Sequence, residues 1–148
     1  MKFKTEISAG GIVFKKILNP QNSQTRNFLW LITQHSQHKG WGFPKGLIGD
    51  TNSKESMEEA ALREVEEEGG VKAKIASKKP VEVKYKYRFD DYLVDKTVFY
   101  FLMEYISGDP KNHDWEMMDA KFVSVDEVKK ILTYKSDQEA FAKILKLL

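Results

Sequence analysis

The chain has 148 residues, of which 41% are hydrophobic and 12% aromatic, and its formal net charge is +2. This length and composition predict a single domain over residues 1–148 that is large enough for a hydrophobic core. The small net charge argues against a protein that binds duplex DNA or RNA. The lack of cysteine excludes disulfides and thiol catalysis. No apolar run predicts a signal peptide or a contact with the membrane interior, so the cytoplasm is the expected location.

The first quarter of the chain predicts two strands joined by a loop. Residues 5–16 form the first strand, and Gly10 and Gly11 within it mark either a bulge or a close approach of another backbone. Residues 17–26 are polar and rich in turn residues, which predicts an exposed loop. Residues 28–34 form a short apolar run, which predicts a buried strand.

A polar loop over residues 35–42 leads into a turn at residues 43–46. His38, Lys39 and Lys45 could each donate a hydrogen bond to a phosphate oxygen, and an ordinary solvated loop is the alternative. Two histidines three residues apart are present, but no cysteine or further histidine is near enough in sequence to complete a zinc site.

Residues 52–68 predict a long helix. Asn52 is the expected N-cap, with Glu55 three residues later as in a capping box, and two glycines after residue 68 end the helix. The apolar stripe expected to face the sheet consists of Met57, Ala61 and Val65.

The last turns of this helix are unusually acidic. Glu64, Glu67 and Glu68 lie at i, i+3 and i+4, so their like charges share one face and repel each other. They also lie at the end of the helix where its dipole favours cations. A solvated acidic face is one explanation. A bound divalent cation is the other, because hard cations such as Mg²⁺ take carboxylate and carbonyl oxygens and would remove both conflicts.

The middle of the chain predicts strands at residues 71–75, 80–88, 96–106 and 120–125. Residues 80–88 alternate between apolar and charged side chains, as in a strand with one buried face. The nearly continuous apolar run at 96–106 predicts a central strand.

The C-terminal end predicts two helices, at residues 126–132 and 137–147. The spacings at 124–127 and 136–139 are typical of capping boxes at their starts. The stripe expected to dock the last helix consists of Phe141, Ile144, Leu145 and Leu148. Tyr134 could edge an adenine pocket, and packing is the alternative.

Residues 43–71 resemble the signature of the Nudix hydrolases, G-x5-E-x7-R-E-U-x-E-E-x-G-U, where U is aliphatic. The matching positions are Glu55, Arg63, Glu64, Val65, Glu67, Glu68, Gly70 and Val71. The opening glycine is either Gly49, which has the literal spacing, or Gly46, which follows Pro44 and Lys45 as in the family but adds three residues to the loop. We favour Gly46.

The resemblance implies the α/β/α sandwich of Nudix proteins with a mixed central sheet, and hydrolysis of phosphoanhydride bonds with Mg²⁺, or Mn²⁺, as cofactor. The implied metal ligands are Gly46 through its carbonyl, Glu64, Glu67, Glu68 and Glu116. Glu64 or Glu116 would accept the proton of the attacking water, and Arg63 would hold one of the glutamates in place. A surface position is the alternative for Glu116, and a surface salt bridge is the alternative for Arg63.

Outside the signature, the chain is similar to diadenosine tetraphosphate hydrolases at Lys96-Thr97-Val98 with Tyr100 and at Trp115-Glu116. The expected substrate-binding residues are His38, Lys45, Lys96 and Tyr100, with a core position as the alternative for Tyr100.

The resemblance implies a small nucleotide as the binding partner, with diadenosine tetraphosphate cleaved to ATP and AMP. The alternatives are a (d)NTP or an RNA 5′ end as substrate, or a nucleotide-sensing module without turnover. The sequence leaves open whether the protein is a monomer or a homodimer.

Overall fold

The computed structural model describes residues 1–19, 22–49 and 53–148, with side chains for all of these except residues 18, 19 and 22–26. The strands within this part of the chain are β1 (Lys2–Asn19), β2 (Asn22–His35), β3 (Trp41–Gly42), β4 (Lys45–Leu47), β5 (Val71–Ile75), β6 (Val81–Phe89), β7 (Tyr92–Gly108) and β8 (Met117–Ser124). The helices are α1 (Met57–Gly69), α2 (Val125–Ile131) and α3 (Lys135–Leu145), with a 3-10 turn at Pro110–Asn112.

All of these strands belong to one mixed sheet. Its central pair, β1 and β7, is parallel, and every other pairing is antiparallel. The main order is β3-β2-β1-β7-β5, with β8 also on β2, β4 on β1 and β6 on β7. The run at 96–106 therefore lies in a central strand, as predicted, because β7 has neighbours along both of its edges.

Helices cover both faces of the sheet. The stripe of α1 packs through Ala61 and Val65 against one apolar core, with Met57 at its edge. Phe141 and Ile144 of α3 belong to a second core on the other face. This arrangement confirms the predicted α/β/α sandwich. Within the described ranges, no helix is long and apolar enough to cross a membrane.

The start of α1 differs from the prediction. The N-cap is Ser56, whose hydroxyl accepts a hydrogen bond from the Glu59 amide at 3.1 Å, and Glu59 completes the capping box. The predicted cap, Asn52, lies outside the described residues. Glu55 has a different role, because its carboxylate is used by Arg63.

The exposed loop predicted at residues 17–26 is wrong for residues 17–19 and 22–26, and residues 20 and 21 lie outside the described residues. β1 continues to Asn19 and β2 begins at Asn22, so the two strands form a long antiparallel ribbon. The polar side chains that suggested a loop do not prevent strand pairing, because the ladder satisfies the backbone hydrogen bonds whatever the side chains are.

The start and end of α3 also differ from the prediction. Its N-cap is Tyr134, without a side-chain capping bond, so Ser136 lies inside the helix and forms no capping box. The helix ends at Leu145, and Leu148 is exposed rather than docked. The cap predicted at Ser124 is correct, because its hydroxyl accepts a hydrogen bond from the Glu127 amide.

Candidate active site

The acidic end of α1 is not a solvated face. The residues Glu64 and Glu68 are only 5% and 7% exposed, whereas the side chain of Glu67 is 45% exposed. Burying two carboxylates on adjacent turns of a helix is unfavourable unless other groups compensate their charge. The surroundings of Glu64 and Glu68 therefore decide what this cluster does.

One compensating group is Arg63, which gathers three carboxylates rather than the single one predicted. Its Nε lies 2.7 Å from Glu55 Oε2, and its Nη1 lies 2.8 Å from Glu64 Oε1 and 3.1 Å from Glu67 Oε2. The Arg63 side chain is 17% exposed, so these are largely desolvated charge-assisted hydrogen bonds. Arg63 therefore fixes the direction in which Glu64 and Glu67 point.

The backbone of β4 passes directly beside the buried carboxylates. A Cβ atom added at Gly46 would lie 2.1 Å from Glu64 Oε1, so only glycine leaves room for this carboxylate. The neighbouring Lys45 amide donates a hydrogen bond to Glu68 Oε1 at 3.1 Å. Gly49 instead occupies a left-handed turn, with φ of 80°, and its amide donates to Glu55. The geometry therefore favours Gly46 as the signature glycine.

Gly10 on β1 allows this approach. Gly10 pairs with Lys45 across the sheet, and a Cβ atom at Gly10 would lie 2.2 Å from the Pro44 carbonyl oxygen. The Gly11 amide donates to the same oxygen at 3.1 Å. Of the two alternatives, the structure shows the close backbone approach at Gly10, whereas a Cβ atom at Gly11 would meet the side chains of Val65 and Met103.

Buried negative charge remains at this cluster even with Arg63 present. Burial raises the pKa of Glu64 to about 7. Arg63 acts to lower this pKa, whereas the charges of Glu67 and Glu116 act to raise it. Burial also raises the pKa of Glu68 to about 8, and the charge of Glu64 adds to this effect. A further cation next to Glu64 and Glu68 would stabilise the charged forms of both carboxylates.

The loop before β8 brings Glu116 to the same place. The Asp114 amide donates to the Glu67 carbonyl at 2.8 Å, which ties this loop to the last turn of α1. The Ser36 amide donates to the Glu116 carbonyl at 2.9 Å. No hydrogen bond or ion pair within the described part of the chain engages the Glu116 carboxylate.

The donor set fits a divalent metal ion, although the described residues contain no preassembled group of three His, Cys, Asp or Glu side chains positioned for one. Arg63 binds two of the candidate carboxylates, Glu64 and Glu67. Glu64 and Glu68 converge on the backbone of Lys45 and Gly46, so the carboxylate oxygens of both residues lie against this backbone segment. These oxygens are the ligands that hard divalent cations prefer.

A cleft of about 530 Å³ opens beside the acidic cluster. Its lining includes His35, His38, Lys45, Glu68, Tyr85 and Tyr134. A volume of this size is in the range of small-molecule sites. Because Lys45 and Glu68 belong to both features, the cleft and the acidic cluster form one continuous site.

The floor of the cleft carries a buried charge. Asp137 is 6% exposed, and its Oδ1 accepts a hydrogen bond from the Tyr100 hydroxyl at 2.9 Å. Burial raises the pKa of Asp137, while Lys45 and Tyr100 oppose this shift. Burial would lower the pKa of Lys45, but the charges of its neighbours outweigh it and the pKa lies above its usual value. Lys45 is therefore a cation in the cleft.

His38 lies at the rim of the cleft and is partnered within the protein. Its ring stacks on His35 with centroids 4.2 Å apart, and its Nδ1 lies 2.8 Å from the Tyr134 hydroxyl. Burial lowers the pKa of His38, and the neighbouring His35 and Lys45 act in the same direction. The His38 ring bridges the loop at residues 35–40 to the start of α3.

The structure does not bring two of the predicted substrate-binding residues into the cleft. Tyr100 is fully buried and donates its hydroxyl to Asp137, which corresponds to the core alternative. Lys96 is 9% exposed, and its Nζ lies 3.4 Å from Glu6 Oε1. The structure does bring together the other predicted residues of the acidic cluster, which are Lys45, Gly46, Arg63, Glu64, Glu67, Glu68 and Glu116.

Sequence reasoning missed several residues of this site. Tyr85 and Tyr87 line the cleft, and their rings lie 6.2 Å apart. The alternation at residues 80–88 already put both on one face, so this signal was present in the sequence. Asp137 gave no such signal, because it appeared only as a polar residue at a helix start. Glu55 matched the signature, but its contact with Arg63 was not predicted.

The comparisons with known proteins agree with the signature. The NUDIX domain family matches residues 16–144. The chain is 28% identical over 144 residues to a putative mutator protein MutT4 of Mycobacterium tuberculosis. This alignment covers 97% of the chain but only 56% of the relative, so the chain spans little more than half the length of that protein.

Solved structures share the fold at low identity. An Ap4A hydrolase of C. elegans superposes with a TM-score of 0.70 at 19% identity, over 97% of this chain and 98% of that one. A NUDIX hydrolase of Nitrosomonas europaea gives 0.63 at 17% identity, over 97% and 90%. The family match over most of the chain shows that the chain belongs to the NUDIX domain family, and the solved structures share its fold.

Proposed function

We propose that this protein is a divalent-metal-dependent pyrophosphohydrolase that cleaves a phosphoanhydride bond in a nucleotide. The observation that carries the proposal is the convergence of Glu64 and Glu68 on the Lys45–Gly46 backbone at the mouth of the cleft. Mg²⁺, or Mn²⁺ in its place, would be held by the Gly46 carbonyl, Glu64 and Glu68. Glu67 and Glu116 are further ligands within reach of the same cluster.

The chemistry that such an ion supplies is neutralisation of charge on the phosphoryl oxygens and activation of a water molecule. The protein supplies position and further charge. Lys45 faces the cleft as a cation and can bind a phosphate oxygen of the substrate. Arg63 keeps Glu64 and Glu67 aimed at the same point. Hydrolysis of a phosphoanhydride depends mainly on such positioning and charge stabilisation.

A proton must also leave the attacking water. Glu64 and Glu116 are the two candidates for its acceptor. Arg63 already binds the Glu64 carboxylate, whereas the Glu116 carboxylate has no partner within the described residues. A Glu116→Gln variant separates the two roles. If Glu116 is the base, turnover falls while the affinity for substrate stays nearly unchanged.

For the substrate, we propose diadenosine tetraphosphate, cleaved asymmetrically to ATP and AMP. The support is the fold similarity to an Ap4A hydrolase over nearly the whole chain, the sequence resemblance at residues 115–116, and the aromatic wall of the cleft. Tyr85, Tyr87 and Tyr134 line the cleft, and aromatic rings are the usual platforms for a base. Asp137 on the floor can accept a hydrogen bond from an amino group such as that of adenine.

A substrate panel with Mg²⁺ and chromatographic identification of the products tests this proposal. We expect diadenosine tetraphosphate to give ATP plus AMP, and no turnover when the metal is removed with a chelator. If no pyrophosphate substrate were cleaved in the presence of Mg²⁺, the proposed enzymatic activity would be contradicted and a nucleotide-sensing module would be favoured.

A (d)NTP pyrophosphohydrolase is the second candidate. The similarity to a putative mutator protein favours it, and the cleft is also large enough for a mononucleotide. Rapid cleavage of dNTPs with no cleavage of diadenosine tetraphosphate would select this candidate. An RNA 5′ end is tested in the same panel with a triphosphorylated oligonucleotide.

A further inference from the structure

Trp115 is an unusual surface residue. It is 80% exposed, and no ring contact or hydrogen bond engages its indole within the described part of the chain. Tryptophan is normally at least partly packed, because its large ring has much to gain from burial. An indole left open in this way is available to a ligand.

The backbone on both sides of Trp115 is nevertheless fixed. The Asp114 amide is bonded to the Glu67 carbonyl on the last turn of α1, and the Glu116 carbonyl accepts from the Ser36 amide. Two residues further on, Met117 lines the cleft. Trp115 therefore lies on a segment, which we call the rim, that is anchored on one side to α1 of the acidic cluster and on the other to the loop at residues 35–40, which lines the cleft.

Lys39 places a positive charge near the same rim. Its ammonium group donates to the carbonyl of Ser36, the residue whose amide is bonded to Glu116. Lys39 also has a positive φ of 64°, a conformation that is unfavourable for a residue with a side chain. This strained backbone holds an exposed ammonium group two hydrogen bonds away from the Trp115–Glu116 segment.

We infer that Trp115 and Lys39 form a distal subsite for the second half of a dinucleoside polyphosphate, with the indole stacked on the outer nucleobase and the ammonium group on an outer phosphate. The inference rests on the proposed function, because only a substrate with a nucleoside at each end fills both this rim and the cleft. The rim combines an open aromatic face with a cation, which matches a base followed by a phosphate.

The test compares diadenosine tetraphosphate with adenosine 5′-tetraphosphate, which has the same phosphates but no second nucleoside. We expect Trp115→Ala to lower kcat/KM about tenfold for the dinucleotide and less than twofold for the mononucleotide. Trp115→Phe, which keeps an aromatic ring, should retain most of the activity. Lys39→Ala should raise KM for both compounds by a similar factor, with kcat nearly unchanged. Equal losses on both substrates for Trp115→Ala, or none, would overturn the subsite.

Tryptophan fluorescence gives a readout that does not require turnover. Of the three tryptophans, Trp30 is buried and Trp41 is half-buried, so the emission of the exposed Trp115 is obtained as the difference between the wild-type protein and Trp115→Phe. In the Glu68→Gln protein, diadenosine tetraphosphate should quench this emission and adenosine 5′-tetraphosphate should not. Quenching by both compounds or by neither would reject the subsite. If the wild-type protein does not cleave diadenosine tetraphosphate, the proposed substrate fails, and the quenching experiment still decides on the subsite.

Discussion

The two parts of the candidate site are built in opposite ways. Most of the acidic cluster comes from one short stretch, residues 46–68, in which a single arginine contacts Glu64 and Glu67 on its own helix and Glu55 just before that helix. The cleft is assembled from distant segments, with Tyr85 on β6 and Tyr134 at the start of α3. The chemistry common to a family can therefore be encoded locally, whereas the shape that selects a substrate depends on how remote segments pack.

The largest effect is expected from a variant that disrupts the acidic cluster. Glu68→Gln removes a buried carboxylate at the proposed metal site, so we expect kcat to fall by about 10²–10³, the range for a group that stabilises charge in the transition state. The fold should survive, because burial disfavours the charged form of Glu68. Kinetics with thermal unfolding measure both effects.

Glu66→Gln is the matched control for that variant, since Glu66 is an exposed residue of the same helix. Its kcat should remain within about twofold of wild type. Equal losses in both variants would show that the total charge of α1, rather than the position of Glu68, matters.

The next effect is on stability. Arg63→Ala leaves Glu55 and Glu64 buried without their cation, so we expect the free energy of unfolding to fall by about 3 kcal/mol, as for a broken buried ion pair. Urea denaturation measures this loss. Arg88→Ala, at an exposed position on β6, should change the free energy by no more than about 0.5 kcal/mol. If Arg63→Ala also lowered the free energy of unfolding by no more than about 0.5 kcal/mol, the contacts of Arg63 would be those of an ordinary surface salt bridge.

Gly46→Ala tests how tightly the backbone of β4 and the Glu64 carboxylate fit together. The added Cβ would collide with Glu64, so we expect a loss of about 1–3 kcal/mol in stability and a marked loss of activity. The control is the same substitution in a Glu64→Ala background, where the collision is absent and the stability cost should largely disappear. Additive costs in that double-mutant cycle would place the strain elsewhere.

The smallest effects are expected from two tyrosine variants, one in the cleft wall and one in the core behind it. Tyr134→Ala removes a ring from the cleft wall, so KM should rise about tenfold with little change in kcat, and Tyr134→Phe should restore most of the affinity. Tyr100→Phe is the comparison. It removes a buried hydrogen bond to Asp137 and should lower stability by about 1–2 kcal/mol. If Tyr100→Phe instead raised KM and left stability unchanged, Tyr100 would contact substrate, as the sequence resemblance suggested.

The sequence predicted the acidic cluster well because its residues are local. The helical period alone puts Glu64 and Glu68 on one face, and the signature supplies Arg63. The sequence could not show that Arg63 binds Glu55, since this contact depends on where the preceding loop returns to the helix. Tyr100 was misleading for the same reason, because a strand buried on both faces gives no periodic signal for which face holds the cleft.

The central claim is that Glu64, Glu68 and the Gly46 carbonyl hold a divalent metal ion against the substrate. A crystal structure of the full chain with Mg²⁺ and a nucleotide tests it most directly. The account predicts an ion about 2.0–2.1 Å from oxygens of both carboxylates, with a phosphate oxygen completing its coordination. Carboxylates still bonded only to Arg63 and the Lys45 amide, with no ion beside them while the nucleotide occupies the cleft, would contradict it.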